Sequence, residues 1–119
     1  MQERIVVEIA SGWGRHRVEV SFDEATIAVE RRREGVTRTG SATLPTAELD
    51  TLRALAAAVP SDEQRFVQGD FYAMGEERLR VVLAEQVVEV FDATDRIRTP
   101  HAEPLVRRCW ELAERVVPW

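Results

Sequence analysis

A chain of 119 residues, 45% apolar and 31% charged, can bury one hydrophobic core and reads as a single domain over 1–119. No run approaches the roughly 20 apolar residues of a spanning helix, and a formal charge of −5, slightly acidic in the first half and more so in the second, argues against nucleic acid, whose phosphates draw on clustered Lys and Arg. The single cysteine, Cys109, excludes an internal disulfide and a thiolate metal cluster, and Glu8 breaks the apolar run from Ile5 before a secretory signal can form, so a reducing cytoplasm is the expected compartment.

Ile5, Val7 and Ile9 alternate with mixed neighbours, and His16, Val18, Val20 and Phe22 alternate with Arg17, Glu19 and Ser21. Period two predicts two half-buried strands joined by a hairpin at Ser11 to Arg15, with Trp13 at its tip. A third strand fits Thr26 to Arg33, with Ile27 and Val29 on one face, and Glu34-Gly35 turns the chain into a polar fourth strand around Val36 to Leu44. Leu44-Pro45-Thr46 opens a helix whose apolar stripe is Leu49, Leu52, Leu55, Ala56 and Val59, and Pro60 ends it. Ser61-Asp62-Glu63-Gln64 has the form of a capping box, which predicts a short second helix closed by Gly69. Phe71 to Glu77 shows no clear period. Leu79, Val81 and Leu83, followed by Val88 and Val90, predict a second hairpin turning at Ala84 to Gln86. Asp92 to His101 reads as a polar loop, and Leu105, Cys109, Leu112, Ala113 and Val116 form the apolar face of a closing helix.

Consecutive strands with short connections favour antiparallel pairing. The predicted class is therefore α+β: an antiparallel β-meander, a helix, a β-hairpin and a C-terminal helix packed on one sheet face, with the other face partly wet.

From Glu34 onward several stretches fall in a familiar order. They are Gly35-Val36-Thr37-Arg38 before a polar strand, Leu44-Pro45-Thr46-Ala47-Glu48-Leu49 leading into a helix, a hairpin ending near Val90-Phe91-Asp92, and a helix beginning near Pro104-Leu105-Val106. This order over residues 34–117 resembles the emfourin family of small bacterial inhibitors of thermolysin-like metalloproteases. The resemblance implies inhibition by binding and assigns no inhibitory residue. Glu34-Gly35 stands where that family usually has a Gly-Gly pair, and the first hairpin is an addition to its pattern.

Catalytic chemistry finds little footing. His16 occupies an apolar strand position and His101 follows Pro100 at the start of the last helix, so neither belongs to a short ligand motif. Cys109 lies on the helix's apolar stripe, where a free cysteine acts as a small core residue. Asp92 with Asp95, and Glu76 with Glu77, are the carboxylate pairs that loops could bring together for acid–base work. No cofactor is implied. All 16 basic residues are arginine, as a GC-rich genome would encode them. Arg31, Arg32 and Arg33 are the densest basic run; alternation puts Arg31 and Arg33 on one face, as a solvated edge guarded against strand pairing or a docking site for an acidic group. Trp13, Phe71 and Tyr72 lie in turns or loops, where aromatic side chains serve as contact anchors.

The expected function is that of a small binding protein of inhibitor or immunity type that engages a protein target such as a protease or toxin. Trp13, Phe71, Tyr72, Arg31 and Arg33 are its candidate binding residues. A small enzyme using loop carboxylates or His101, and a self-associating module forming a homodimer, are the alternatives.

Overall fold

The structure is a computed structural model that describes residues 2–11, 14–60, 76–84, 86–92, 97 and 99–119. Its elements in chain order are β1 (Arg4–Ser11), β2 (Gly14–Ser21), β3 (Thr26–Arg33), β4 (Val36–Thr43), α1 (Thr46–Ala57), β5 (Glu76–Leu83), β6 (Gln86–Asp92) and α2 (Glu103–Val116). The strands make one six-stranded sheet in the order β4-β3-β2-β1-β5-β6, with every neighbouring pair antiparallel. The expected α+β class is thus observed. The sheet joins both hairpins because β1 pairs with β2 on one side and with β5 on the other, Ile5 lying between Val20 and Val81.

Strand parity follows from hydrophobic pattern. Ile5 and Val7 of β1, Val18 and Val20 of β2, Ile27 and Val29 of β3, Leu79 and Val81 of β5 and Val88 and Val90 of β6 are all buried and share one face in register. Burying each such side chain fully contributes roughly 1.5–3 kcal/mol. The core is completed by Leu52, Ala56 and Val59 from α1 and its C-terminal end, and by Leu105, Cys109, Leu112 and Ala113 from α2. On the opposite face the strands carry an ion-pair lattice: Glu8 meets Arg15 and Arg17, Glu19 meets Arg4 and Arg17, and Arg80 meets Glu89. That face also holds Val6 and Val82, both buried.

The turn between β3 and β4 has Glu34 at φ 52° and Gly35 at φ 80°, the paired positive values of a two-residue hairpin whose twist matches its strands. α1 begins after Pro45 and stops at Ala57, short of Pro60, because a proline disfavours helical geometry in the residue before it. A bidentate bridge from Arg108 of α2 to Glu48 of α1 ties the helices together, and Arg108 also donates to Glu111 at 2.9 Å. The second short helix expected at Ser61 to Gly69 lies outside the described residues. β5 begins at Glu76, so Glu76 and Glu77 belong to a strand and not to a loop.

Gly40 of β4 is the point where the chain's last turn meets the sheet. A Cβ placed there would stand 2.8 Å from Val117 Cγ2 and 3.3 Å from Val116 Cγ1. Branched valines cannot swing aside without losing their own packing, so Gly40→Ala is expected to destabilise the fold by about 1–3 kcal/mol in chemical denaturation.

Candidate functional site

Strand parity forces charge onto the inward face of the sheet at one end. Arg31, Arg33 and Arg38 share the parity of the core residues Ile27 and Val29, and Arg31 is the register partner of Arg38. Like charges directly opposite one another are unfavourable. Two features of the C-terminal region relieve this. Arg31 donates from Nη1 to Glu114 of α2 at 3.2 Å, and Trp119 places its ring under the guanidinium of Arg38 at 4.5 Å and near that of Arg33 at 5.8 Å. Arg38 also donates to the Pro118 carbonyl at 3.4 Å.

The arginine run therefore departs from the expected solvated edge. β3 is an interior strand, and Arg31 is buried, with 7% of its surface exposed. Sequence spacing carries no sign that Glu114 and Trp119 return over this end of the sheet. Arg33 remains exposed beside the indole.

A cleft of about 630 Å³ opens between this end of the sheet and α2. Ile9, His16, Arg31 and Glu77 line it from the strands, and Val106, Trp110 and Glu114 from the helix. Glu77 is buried, at 3% exposed, and accepts hydrogen bonds from the Ile97 backbone N–H at 2.6 Å and from Trp110 Nε1–H at 3.0 Å. A buried carboxylate needs such donors, and here they fasten both α2 and the chain approaching it to the sheet. Glu76 and Glu77, a candidate carboxylate pair in the sequence, do not converge, because adjacent strand positions point to opposite faces of β5. Glu76 instead pairs with Arg78 at 3.1 Å.

His16 faces the cleft side of the sheet and meets Trp119 edge to face, ring centroids 6.1 Å apart. Burial, reinforced by the positive charges of Arg31 and Arg33, lowers its pKa from the ordinary value of 6.5, against a smaller opposing pull from Glu114. Its Nδ1 and the Nε of Arg31 are buried without a hydrogen-bond partner among the described residues.

Cys109 is fully buried on α2, and burial pushes its thiol up to about 12. A thiol held protonated is a poor nucleophile, so the residue packs the core as its stripe position predicts. His101 is exposed in the turn before α2, and Asp92 ends β6. Trp13, Phe71, Tyr72 and Asp95 lie outside the described residues. Among the described residues, no group of three or more His, Cys, Asp or Glu side chains could hold a metal ion, and no helix is long and apolar enough to cross a membrane.

The β4 edge of the sheet forms a second distinctive surface. Among the described residues β4 has no neighbour beyond β3, and its residues are exposed apart from half-buried Gly40. In a two-residue hairpin the pair flanking the turn, Arg33 and Val36, is hydrogen-bonded, so Thr37, Thr39, Ser41 and Thr43 direct their backbone N–H and C=O groups outward. Val36, at 53%, is the large hydrophobic residue left exposed among those described. Compared with protein-family models and with curated proteins, the chain matches neither.

Two measurements follow from these environments. Cys109 should ignore an aromatic disulfide reagent at pH 8 in the native protein and react stoichiometrically once the protein is unfolded; rapid native labelling would contradict its burial. For His16 the folded form binds protons less readily than the unfolded form, so stability is greatest above 6.5 and falls as pH drops below it toward the lowered folded value. His16→Gln should flatten that part of the stability profile in urea titrations from pH 8 to pH 5, and an unchanged slope would show that other groups cause it.

Proposed function

We propose that this protein is a stoichiometric binding domain of inhibitor type that engages a protein target by adding one of the target's strands to β4. The observation that carries this reading is the composition of that edge. Exposed edge strands are normally protected by charged side chains, inward-pointing charges, proline, bulges or short length. β4 is eight residues long and contains no proline, and its one charged residue, the inward Arg38, is engaged by the Trp119 ring and the Pro118 carbonyl. Its outward-bonding positions are all Thr or Ser, so among the described residues a visiting strand meets a full row of backbone partners flanked by small side chains. Main-chain bonding of this kind supplies affinity, while alternate side chains supply selectivity.

Two further features support the reading. The strand, helix, hairpin and helix that follow Glu34 are the elements on which the resemblance to the emfourin inhibitors rests, and β4 is the first of them. Cys109 and Glu77, two groups that could have served catalysis, are committed to the core and to holding α2. Thermolysin-like proteases and bacterial toxins are the target classes this reading favours.

Thr39→Pro tests it. Proline at an edge position whose N–H faces outward removes a donor without breaking a ladder bond, so the variant should keep its thermal stability. Wild-type protein titrated against a thermolysin-like protease should abolish activity at one equivalent, and tagged wild-type protein should retain a target from its native host. Thr39→Pro should weaken either interaction at least about tenfold. Equal recovery of the same partner by both proteins would reject strand addition, and a concentration-dependent dimer lost in the variant would show that the edge serves self-association.

A further inference from the structure

We propose that β4 pairs with the β4 strand of a second copy of this chain, antiparallel about a two-fold axis at Gly40, so that the unbound protein keeps this edge covered. The pairing needs no target, whereas its consequence, that the dimer must open before a target strand can add, rests on the proposed reading of β4.

The strand's register supplies the argument. Thr37, Thr39, Ser41 and Thr43 direct their backbone groups away from β3, and no strand among the described residues meets them. An unpaired edge is a template for another chain, and a two-fold axis lets one edge satisfy itself. Residues directly opposite one another share a face of the sheet, so a symmetric pair must centre on a residue that faces its own copy. Centred on Ser41, the pair would set Thr37 opposite Pro45, which has no N–H. Centred on Thr39, it would set Thr43 opposite Gly35, which lies in the turn at φ 80°. Centred on Arg38, it would oppose like charges. Gly40 is the centre that sets every outward residue against another outward residue, Thr37 against Thr43 and Thr39 against Ser41 of the second copy.

The side chains agree with this register. On the face away from the helices hydroxyls meet hydroxyls, threonine beside threonine and threonine beside serine, pairs that stabilise antiparallel strands. On the helix-covered face Arg38 comes opposite Ala42 of the second copy, and its guanidinium is already engaged by the Trp119 ring and the Pro118 carbonyl. Val36, 53% exposed, comes opposite Leu44 of the second copy. The two glycines meet at the axis in a non-hydrogen-bonded pair, where Cα atoms approach most closely, and neither has a side chain to obstruct the other. β4 contains no carboxylate, so two copies of a chain of charge −5 meet along strands that bring no acidic side chains face to face.

Sedimentation velocity on the protein alone, from about 1 µM to about 500 µM, should show a monomer–dimer equilibrium. Thr39→Pro removes an outward N–H and leaves the β3 ladder intact, so it should weaken the dimer at least about tenfold while the monomer stays folded. Register is read by mixing Thr39→Cys with Ser41→Cys under mild oxidation. Opposed Cα atoms lie within disulfide reach, so the mixture should give cross-linked heterodimers while neither variant cross-links with itself. A monomer throughout, a dimer indifferent to Thr39→Pro, or cross-linking of either variant with itself would overturn the proposal. The cross-linked heterodimer should fail to inhibit a thermolysin-like protease until it is reduced, and inhibition equal to that of the wild-type protein would show that the dimer does not cover the binding edge. Where the wild-type protein engages no target yet the heterodimer cross-links, the inhibitor reading of β4 fails and the pairing stands.

Discussion

A six-stranded sheet whose described helices pack on one face makes parity the governing constraint, because each strand commits all its alternate residues to the same side. Through most of the sheet this is harmless, since the inward positions of β1, β2, β3, β5 and β6 are aliphatic. β3, however, runs from Ile27 and Val29 into Arg31 and Arg33, and parity carries the arginines inward with the aliphatic residues. The C-terminal region is shaped by that result. Glu114 pairs with Arg31, the Trp119 ring lies beside the exposed Arg33 and Arg38, and Val116 and Val117 lie so close to β4 that a Cβ at Gly40 would crowd them.

Much of this architecture is legible in the sequence for the same reason. Alternation in β1, β2, β3 and the later hairpin is a local property, and so is the apolar stripe that places Cys109 in the core. Which element covers a given face is a non-local property. Arg31 illustrates the difference: its side of the sheet follows from its neighbours, but its burial depends on Glu114, which lies on a helix far along the chain. Glu77 is a second case. Adjacent to Glu76 and following an irregular stretch, it reads as half of an acidic pair, whereas its bonds to Ile97 and Trp110 make it the anchor of α2. Ile97 itself sits in a segment of polar composition and is nonetheless buried. No short-range period could reveal it.

The edge strand and the cleft share the β3–β4 hairpin. Arg31 and Arg38 are cross-strand partners, one committed to the cleft wall and the other to the indole of Trp119 beside the free edge. His16 on the neighbouring β2 meets Trp119 edge to face, and its pKa is lowered first by burial and then by the charges of Arg31 and Arg33.

The position of β1 carries a consequence for synthesis on the ribosome. β1 is made first and ends in the interior of the sheet, yet its second neighbour, β5, is translated only after β2, β3, β4 and α1. At roughly 5–20 residues per second, that interval lasts several seconds. A nascent chain during this time can form the meander from β4 to β1, but β1 remains an open margin with Ile5 and Val7 lacking their β5 partners Val81 and Leu79. A stalled or truncated chain would present that margin indefinitely as a template for foreign strands, so this fold's greatest exposure to aggregation falls before the hairpin of β5 and β6 docks.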